Sequence, residues 1–163
     1  MKLFVRRMKE EDYAGVLPLQ EEIQRLHLAA RPDVFRPGAV SFPEETFRQV
    51  VNDPGWRCAV CEAEGEIVGF VFAFVRRLRD HRNMRDADVL LIDDISVRED
   101  FRRRGVGRAL FAYAEAAARE AGCGRLELTV WAFNEEAMEF YRAMGLTPRE
   151  IRMEKREEER YES

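Results

Sequence analysis

Apolar residues change their spacing along the chain, and the changes mark the elements. Val16, Leu19, Ile23 and Leu26 recur at helical spacing, which predicts a helix over 10–30 after a short strand over 3–7. Pro32 and Pro37 break the chain into a loop over 31–38. A second helix is expected from near Pro43 to the Asn52-Asp53-Pro54-Gly55 stop. Segments 57–62 and 67–77 are rich in β-formers and flank the turn Ala63-Glu64-Gly65-Glu66, so they predict a hairpin. After a polar stretch over 79–88 comes another β-rich run, 89–97.

The C-terminal half returns to helical spacing. Val106, Leu110, Tyr113 and Ala117 fall on one face of a helix over 105–121, stopped by Gly122 and Gly124. A strand over 126–131 follows. Asn134 then suits an N-cap, with Glu135 and Glu136 where a helix dipole favours acids. Ala137, Phe140, Tyr141 and Met144 form that helix's stripe, and Gly145 ends it. A last strand is expected over 147–155, and the charged tail 156–163 is expected to fray. This order predicts a mixed α/β fold around one sheet, with a parallel strand pair made by the unit over 89–131. A single domain over 1–155 is expected.

Composition narrows the classes. The chain has 163 residues, enough for a core without staples. Its 27 Lys and Arg against 31 Asp and Glu give a net charge of −4, which argues against bulk nucleic-acid binding. No apolar run approaches the roughly 20 residues of a membrane span. The N-terminus, Met1-Lys2-Leu3-Phe4-Val5-Arg6-Arg7, is too short and charged for a signal peptide, so a cytoplasmic location is the default. Cys58 and Cys61 form C-x-x-C, but on a strand residues three apart face opposite sides, which disfavours a zinc or redox pair. No metal is expected.

The chemistry concentrates in Arg102-Arg103-Arg104-Gly105-Val106-Gly107, where a strand gives way to a helix. Glycines there let backbone N–H groups approach a ligand, and a helix's first N–H groups have no internal acceptor. With the dipole and flanking arginines, including Arg108, this is a phosphate cradle. A Walker loop would need Lys-Ser or Lys-Thr after its glycine, and a dinucleotide fingerprint a third glycine where Leu110 stands.

R-x-x-G-x-G opening a helix resembles the acetyl-CoA motif of the GNAT superfamily of N-acetyltransferases. Ile95-Ser96-Val97 is similar to the strand before that motif, and Asn134 to Leu146 to its N-x-x-A-x-x-F-Y-x-x-x-G-L helix. The element order matches from Leu3 to Lys155. The resemblance implies a mostly antiparallel sheet flanked by helices, with a central parallel pair splayed to admit coenzyme A. It implies that Ile95 and Val97 pair with the pantetheine arm, that N–H groups from Arg103 to Arg108 hold the pyrophosphate, and that Asn134 lies near the pantetheine. It places Tyr141 at the sulfur, where a phenol protonated at neutral pH can donate to a departing thiolate.

An attacking amine also needs a base. Asp93 and Asp94 sit in a strand, where propensity disfavours acids. Leu-Ile-Asp-Asp-Ile-Ser-Val is similar to the Glu-Asp-Ile strand of diamine acetyltransferases, and Asp93 matches their glutamate with one methylene fewer. The two aspartates alternate faces unless a bulge intervenes, so one of them is expected to line the site. His27, Phe35, Asp94 and Trp131, with Phe133, are candidate acceptor contacts, core packing being the alternative reading for the aromatics and for His27. The expectation is an acetyl transfer from acetyl-CoA to a small amine (a polyamine, amino acid or amino sugar) by direct attack, since no cysteine falls at a motif position. Alternatives are a protein amine as acceptor, or a coenzyme A sensor without turnover. Family habit adds a homodimer.

Overall fold

The computed structural model describes residues 1–157; most of the expected frayed tail, 158–163, lies outside the described residues. The chain divides into two compact units, Met1–Phe133 and Asn134–Ser163, the second described as far as Glu157.

The first unit holds a five-stranded sheet in the order β1 (Phe4–Arg7), β2 (Ala59–Ala63), β3 (Glu66–Leu78), β4 (Ala87–Val97) and β5 (Arg125–Leu128). Neighbours are antiparallel except β4 and β5, which are parallel. The parallel pair therefore lies at one side of the described sheet. Helices α1 (Tyr13–Ala30) and α2 (Glu44–Asn52) supply one face of the core. There Val16, Leu19, Phe47, Val50 and Val51 close over Phe70 and Phe72 of β3 and Phe42 of the preceding loop. Phe42 and Phe72 stack with centroids 3.9 Å apart. Burying each such ring contributes about 1.5–3 kcal/mol. The α1 stripe is buried only over its first half; Leu26 remains 42% exposed.

Helix α3 (Val106–Glu120) covers the other face through Val106, Leu110, Ala114 and Ala117. Its approach is set by Gly69, whose position a Cβ would fill at 2.8 Å from Val106 and 2.9 Å from Leu110. Cys61 pairs with Gly69 on this side, whereas Cys58 lies in the α1–α2 core, so the two buried thiols diverge and stay free. Burial pushes the Cys58 thiol up to about 12, which keeps it unreactive.

Two buried polar groups tie loops down. Gln20 of α1 donates to the Phe42 carbonyl at 3.0 Å and accepts from the Phe42 N–H at 2.9 Å, pinning the end of the connection that the prolines opened. Arg6 of β1 reaches Asp12 with both terminal nitrogens at 2.8 Å and also bonds Glu62 of β2. Burial raises the Asp12 pKa, but Arg6 and the Lys9 N–H outweigh it and hold the carboxyl below the ordinary aspartate range.

In the second unit, α4 (Glu135–Ala143) is capped at both ends. The Asn134 side chain accepts from the Ala137 N–H at 3.1 Å. Gly145, at φ 93°, lets its own N–H reach Arg142 and the Leu146 N–H reach Tyr141, which is a Schellman closure. The strand expected over 147–155 does not form. Ile151 and Met153 have the alternating spacing of a strand, but they are 79% and 84% exposed. With no ladder and no burial, nothing offsets the entropy of ordering an extended segment. The strand expected to run to Trp131 also stops early, at Leu128, where its register with β4 ends.

No helix among the described residues is long and apolar enough to cross a membrane, and no group of three or more His, Cys, Asp or Glu among them could hold a metal ion.

Gly69→Ala should lower the unfolding free energy by about 1–3 kcal/mol, because α3 must retreat from β3 to admit the methyl. A shift of the urea midpoint at unchanged slope checks this; an unshifted midpoint refutes the close approach.

Candidate active site

Strand β4 is paired with β3 from end to end, Ala87 with Leu78 through Val97 with Gly69. On its other side β5 pairs only from Val89 to Ile92. From Asp93 to Val97 that second edge has no strand partner among the described residues. An unpaired run of N–H and C=O groups suits an extended ligand with amides of its own. Ile95 and Val97 both lie on it. The Val97 carbonyl already accepts from Arg102 Nε at 3.4 Å, so part of its capacity is used within the chain.

The turn after β4 leads directly into α3. A 3-10 turn, Glu99–Phe101, ends at Arg102; Arg103 then adopts φ 60° and Gly105 φ 87° before α3 begins at Val106. Left-handed residues on either side of Arg104 curl the backbone into a concave nest, and no side chain caps α3. The N–H groups of Val106, Gly107 and Arg108 thus have no acceptor within the helix. The arginines divide their work. Arg98 is held by Asp100 at 2.7 Å and Glu66 at 3.0 Å and lies over the Phe101 ring at 4.6 Å, so it is structural. Arg104 rests over the same ring at 5.0 Å. Arg102 pairs with Glu22 of α1 at 3.4 Å. Arg103 and Arg108 are exposed beside the nest.

A bulge interrupts β4 where the aspartates stand. Phe72 pairs with Asp94 and Ala73 with Ile92, leaving Asp93 as the extra residue. Paired residues share a face, so Asp94 lies on the face of Phe72, towards α1 and α2. The strict alternation expected from sequence is therefore broken at Asp93. Burial, then the neighbouring Asp93 charge, push Asp94 up to about 7; burial alone raises Asp93. A proton acceptor near pH 7 is the range in which general bases work best. Sequence reasoning ranked Asp93 first, by its match to a glutamate, and left a bulge between the two aspartates open.

The candidate acceptor residues come together. His27 stacks on Phe35 at 4.9 Å and meets Phe133 edge-on at 5.8 Å. Phe35 meets Trp131 at 5.2 Å, and Trp131 lies 6.0 Å from Phe133. This cluster is separate from the main core, and Trp131 is 37% exposed. Arg31, which sequence reading missed, lies 5.8 Å over Trp131 and is oriented by Asp33 at 2.8 Å. Burial lowers the His27 pKa, so the ring is neutral at pH 7 and does not repel a cation. Trp131 follows Leu128 by three residues and Asp94 follows Ile92 by two, so both leave the parallel pair at the same end. In the second unit Tyr141 is half-buried in α4, its ring 5.5 Å from Phe140, and Asn134 spends its side-chain oxygen on the cap.

The acetyltransferase (GNAT) family profile matches residues 21–146. An N-acetyltransferase from Lactobacillus delbrueckii subsp. lactis, named as uncharacterized in the pepI 3′ region, is 35% identical over 97 residues, 60% of this chain and 55% of its own. This chain thus spans about half of that relative's length. Thialysine N-epsilon-acetyltransferase of Bos taurus is 27% identical over 88% of this chain and 83% of its own. A solved structure of the BH1408 protein from Bacillus halodurans, a tetramutant, superposes at TM-score 0.90 with 23% identity, over 94% of this chain and 99% of its own, which shows a shared fold.

Asp94→Asn should stabilise the protein at pH 8 and change little at pH 4. The folded pKa is raised above the unfolded value, so the ionised group carries a penalty that is absent below the ordinary aspartate range and complete above about 7. The gain should be on the order of 2 kcal/mol. Equal effects at both pH values in urea unfolding would contradict the raised pKa.

Proposed function

This chain belongs to the acetyltransferase (GNAT) family, and on that premise we propose that it moves an acetyl group from acetyl-CoA to a small primary amine by direct attack. The observation that carries the reading is the splayed β4 edge ending in the left-handed Arg103–Gly105 nest. An unpaired strand edge suits the amide-bearing pantetheine, and the nest at the start of α3 suits the pyrophosphate. Arg103, Arg104 and Arg108 add positive potential around it.

The residues divide the proton traffic. The amine arrives as an ammonium and must lose a proton before its lone pair can attack the thioester carbonyl. The Asp93–Asp94 pair takes that proton, and Asp94, held near 7, is the member half-ionised at neutral pH. As the carbon–sulfur bond breaks, Tyr141 donates its phenolic proton to the leaving thiolate, and the second proton lost by the acylated nitrogen returns through solvent to the phenolate. This role rests on the match of the Asn134–Leu146 motif. In the same reading Asn134 adjoins the pantetheine through its side-chain amide, since its oxygen is committed to the helix cap. The acceptor lies against His27, Phe35 and Trp131. A small amine is supported by the name of the thialysine-acetylating relative and by the acidic pair, which attracts a cation.

Purified protein should release free thiol from acetyl-CoA with at least one member of a panel of polyamines, basic amino acids and amino sugars. Saturable acetyl-CoA binding without release from any amine would favour a coenzyme A sensor. Tyr141→Phe should lower kcat by about 10²-fold at unchanged acetyl-CoA affinity; a wild-type rate across the pH range removes the tyrosine as acid. For wild type, kcat/KM for the amine should rise with pH through about 7. Asp93→Asn should shift that limb to lower pH, because it removes the like charge that raises Asp94. A limb that stays in place assigns the pKa elsewhere.

A further inference from the structure

The nest that the proposed function assigns to pyrophosphate is not held by its own strand and helix alone. Glu22, in the middle of α1, reaches across to it from 77 residues away in sequence. One carboxylate oxygen accepts from the Glu99 N–H at 2.9 Å, the first residue of the 3-10 turn, and from Arg102 Nη2 at 3.4 Å, the residue that ends it. Arg102 in turn places Nε on the Val97 carbonyl at 3.4 Å, where β4 stops. A single carboxylate thus ties together the end of the strand, the turn and the start of the R-x-x-G-x-G segment. Glu22 and Arg102 are 23% and 34% exposed, enough shielding for a charge-assisted bond to count.

The residues on either side show why this matters. Arg103 must hold φ 60°, a left-handed conformation that costs a non-glycine residue energy and persists only where its surroundings enforce it. Phe101 is anchored in the core, and Arg98 is clamped by Asp100 and Glu66. Arg102 lies between these anchors and the strained residue, and Glu22 is what α1 contributes to fixing it. The same helix carries His27 five residues on, about 7.5 Å along its axis. One rigid element therefore reaches both the turn after β4 and the aromatic cluster after β5.

We propose that Glu22 is a positioning residue for acetyl-CoA, acting through the Glu99 N–H and Arg102 to hold the anion-binding turn in its binding conformation. This rests on the acetyl-CoA reading above. Glu22 touches neither cosubstrate; its effect lies in the affinity for the donor, with the chemical step left intact.

Calorimetric titration with acetyl-CoA tests it. Glu22→Ala should raise the Kd about five- to tenfold and the KM for acetyl-CoA in parallel, with kcat at saturation within twofold and the amine KM unchanged. Glu22→Gln keeps an oxygen for the Glu99 N–H and loses the charge, so it should fall between, about threefold weaker, with a smaller loss at high salt. It also serves if the alanine variant does not fold. In a double-mutant cycle, Glu22→Ala should add little once Arg102→Ala is present. Wild-type affinity in both Glu22 variants overturns the proposal, as does a fall in kcat and in the melting midpoint together with a rise in both KM values, which would mark a purely structural residue. If wild type itself binds no acetyl-CoA, the functional reading fails and takes this proposal with it; if wild type binds and the variants match it, only this proposal fails.

Discussion

Strand β4 has two edges with different fates, and the rest of the unit is arranged around that asymmetry. The β3 edge is paired from Ala87 to Val97 apart from the bulge at Asp93. The β5 edge is bonded from Val89 to Ile92 and then released. A backbone that is fixed on one side and unpaired on the other is a preorganised partner for an extended ligand: its groups are oriented and need not be freed from a neighbour. Gly69 makes the next step possible. It lets α3 settle closely on β3, with Val106 of its first turn against Gly69, the partner of Val97 at the end of β4.

The bulge at Asp93 belongs to the same design. In a regular strand an acidic pair would split between two faces, one aspartate under α3 and one under α1. With one residue extra, the pairing of Asp94 with Phe72 sets its carboxyl on the α1–α2 side, in surroundings apolar enough to raise its pKa to about 7. The raised pKa is a stability cost at neutral pH.

The arginines show how little of a motif's charge need be meant for the ligand. Of the five between 98 and 108, Arg98 is fully engaged in building the turn, and Arg102 joins it to α1. Arg104 packs on Phe101. What they build is a backbone shape, with Arg103 and Gly105 in left-handed conformations.

Much of this protein was legible in its sequence because the information is local. Helical spacing located α1 to α4, turn residues located the hairpin of β2 and β3, and Asn134 and Gly145 marked both ends of α4, since caps and turns are decided by neighbours a few residues apart. Gly105 marked the left-handed turn before α3 for the same reason. The expected strand over 147–155 shows the limit: alternation of Ile151 and Met153 is local, but a strand exists only where a partner accepts its hydrogen bonds. The release of β5 at Leu128, the bulge at Asp93, the gathering of His27, Phe35 and Trp131, and the bond from Glu22 to the turn all join residues far apart in the chain. Periodicity and propensity carry no record of such pairings. Local signals in the chain marked the four helices and the β2–β3 hairpin; which edge of β4 stays unpaired, which face Asp94 takes and which helix bonds the turn were settled by tertiary packing, because burial and register are properties of partners that the chain brings together only on folding.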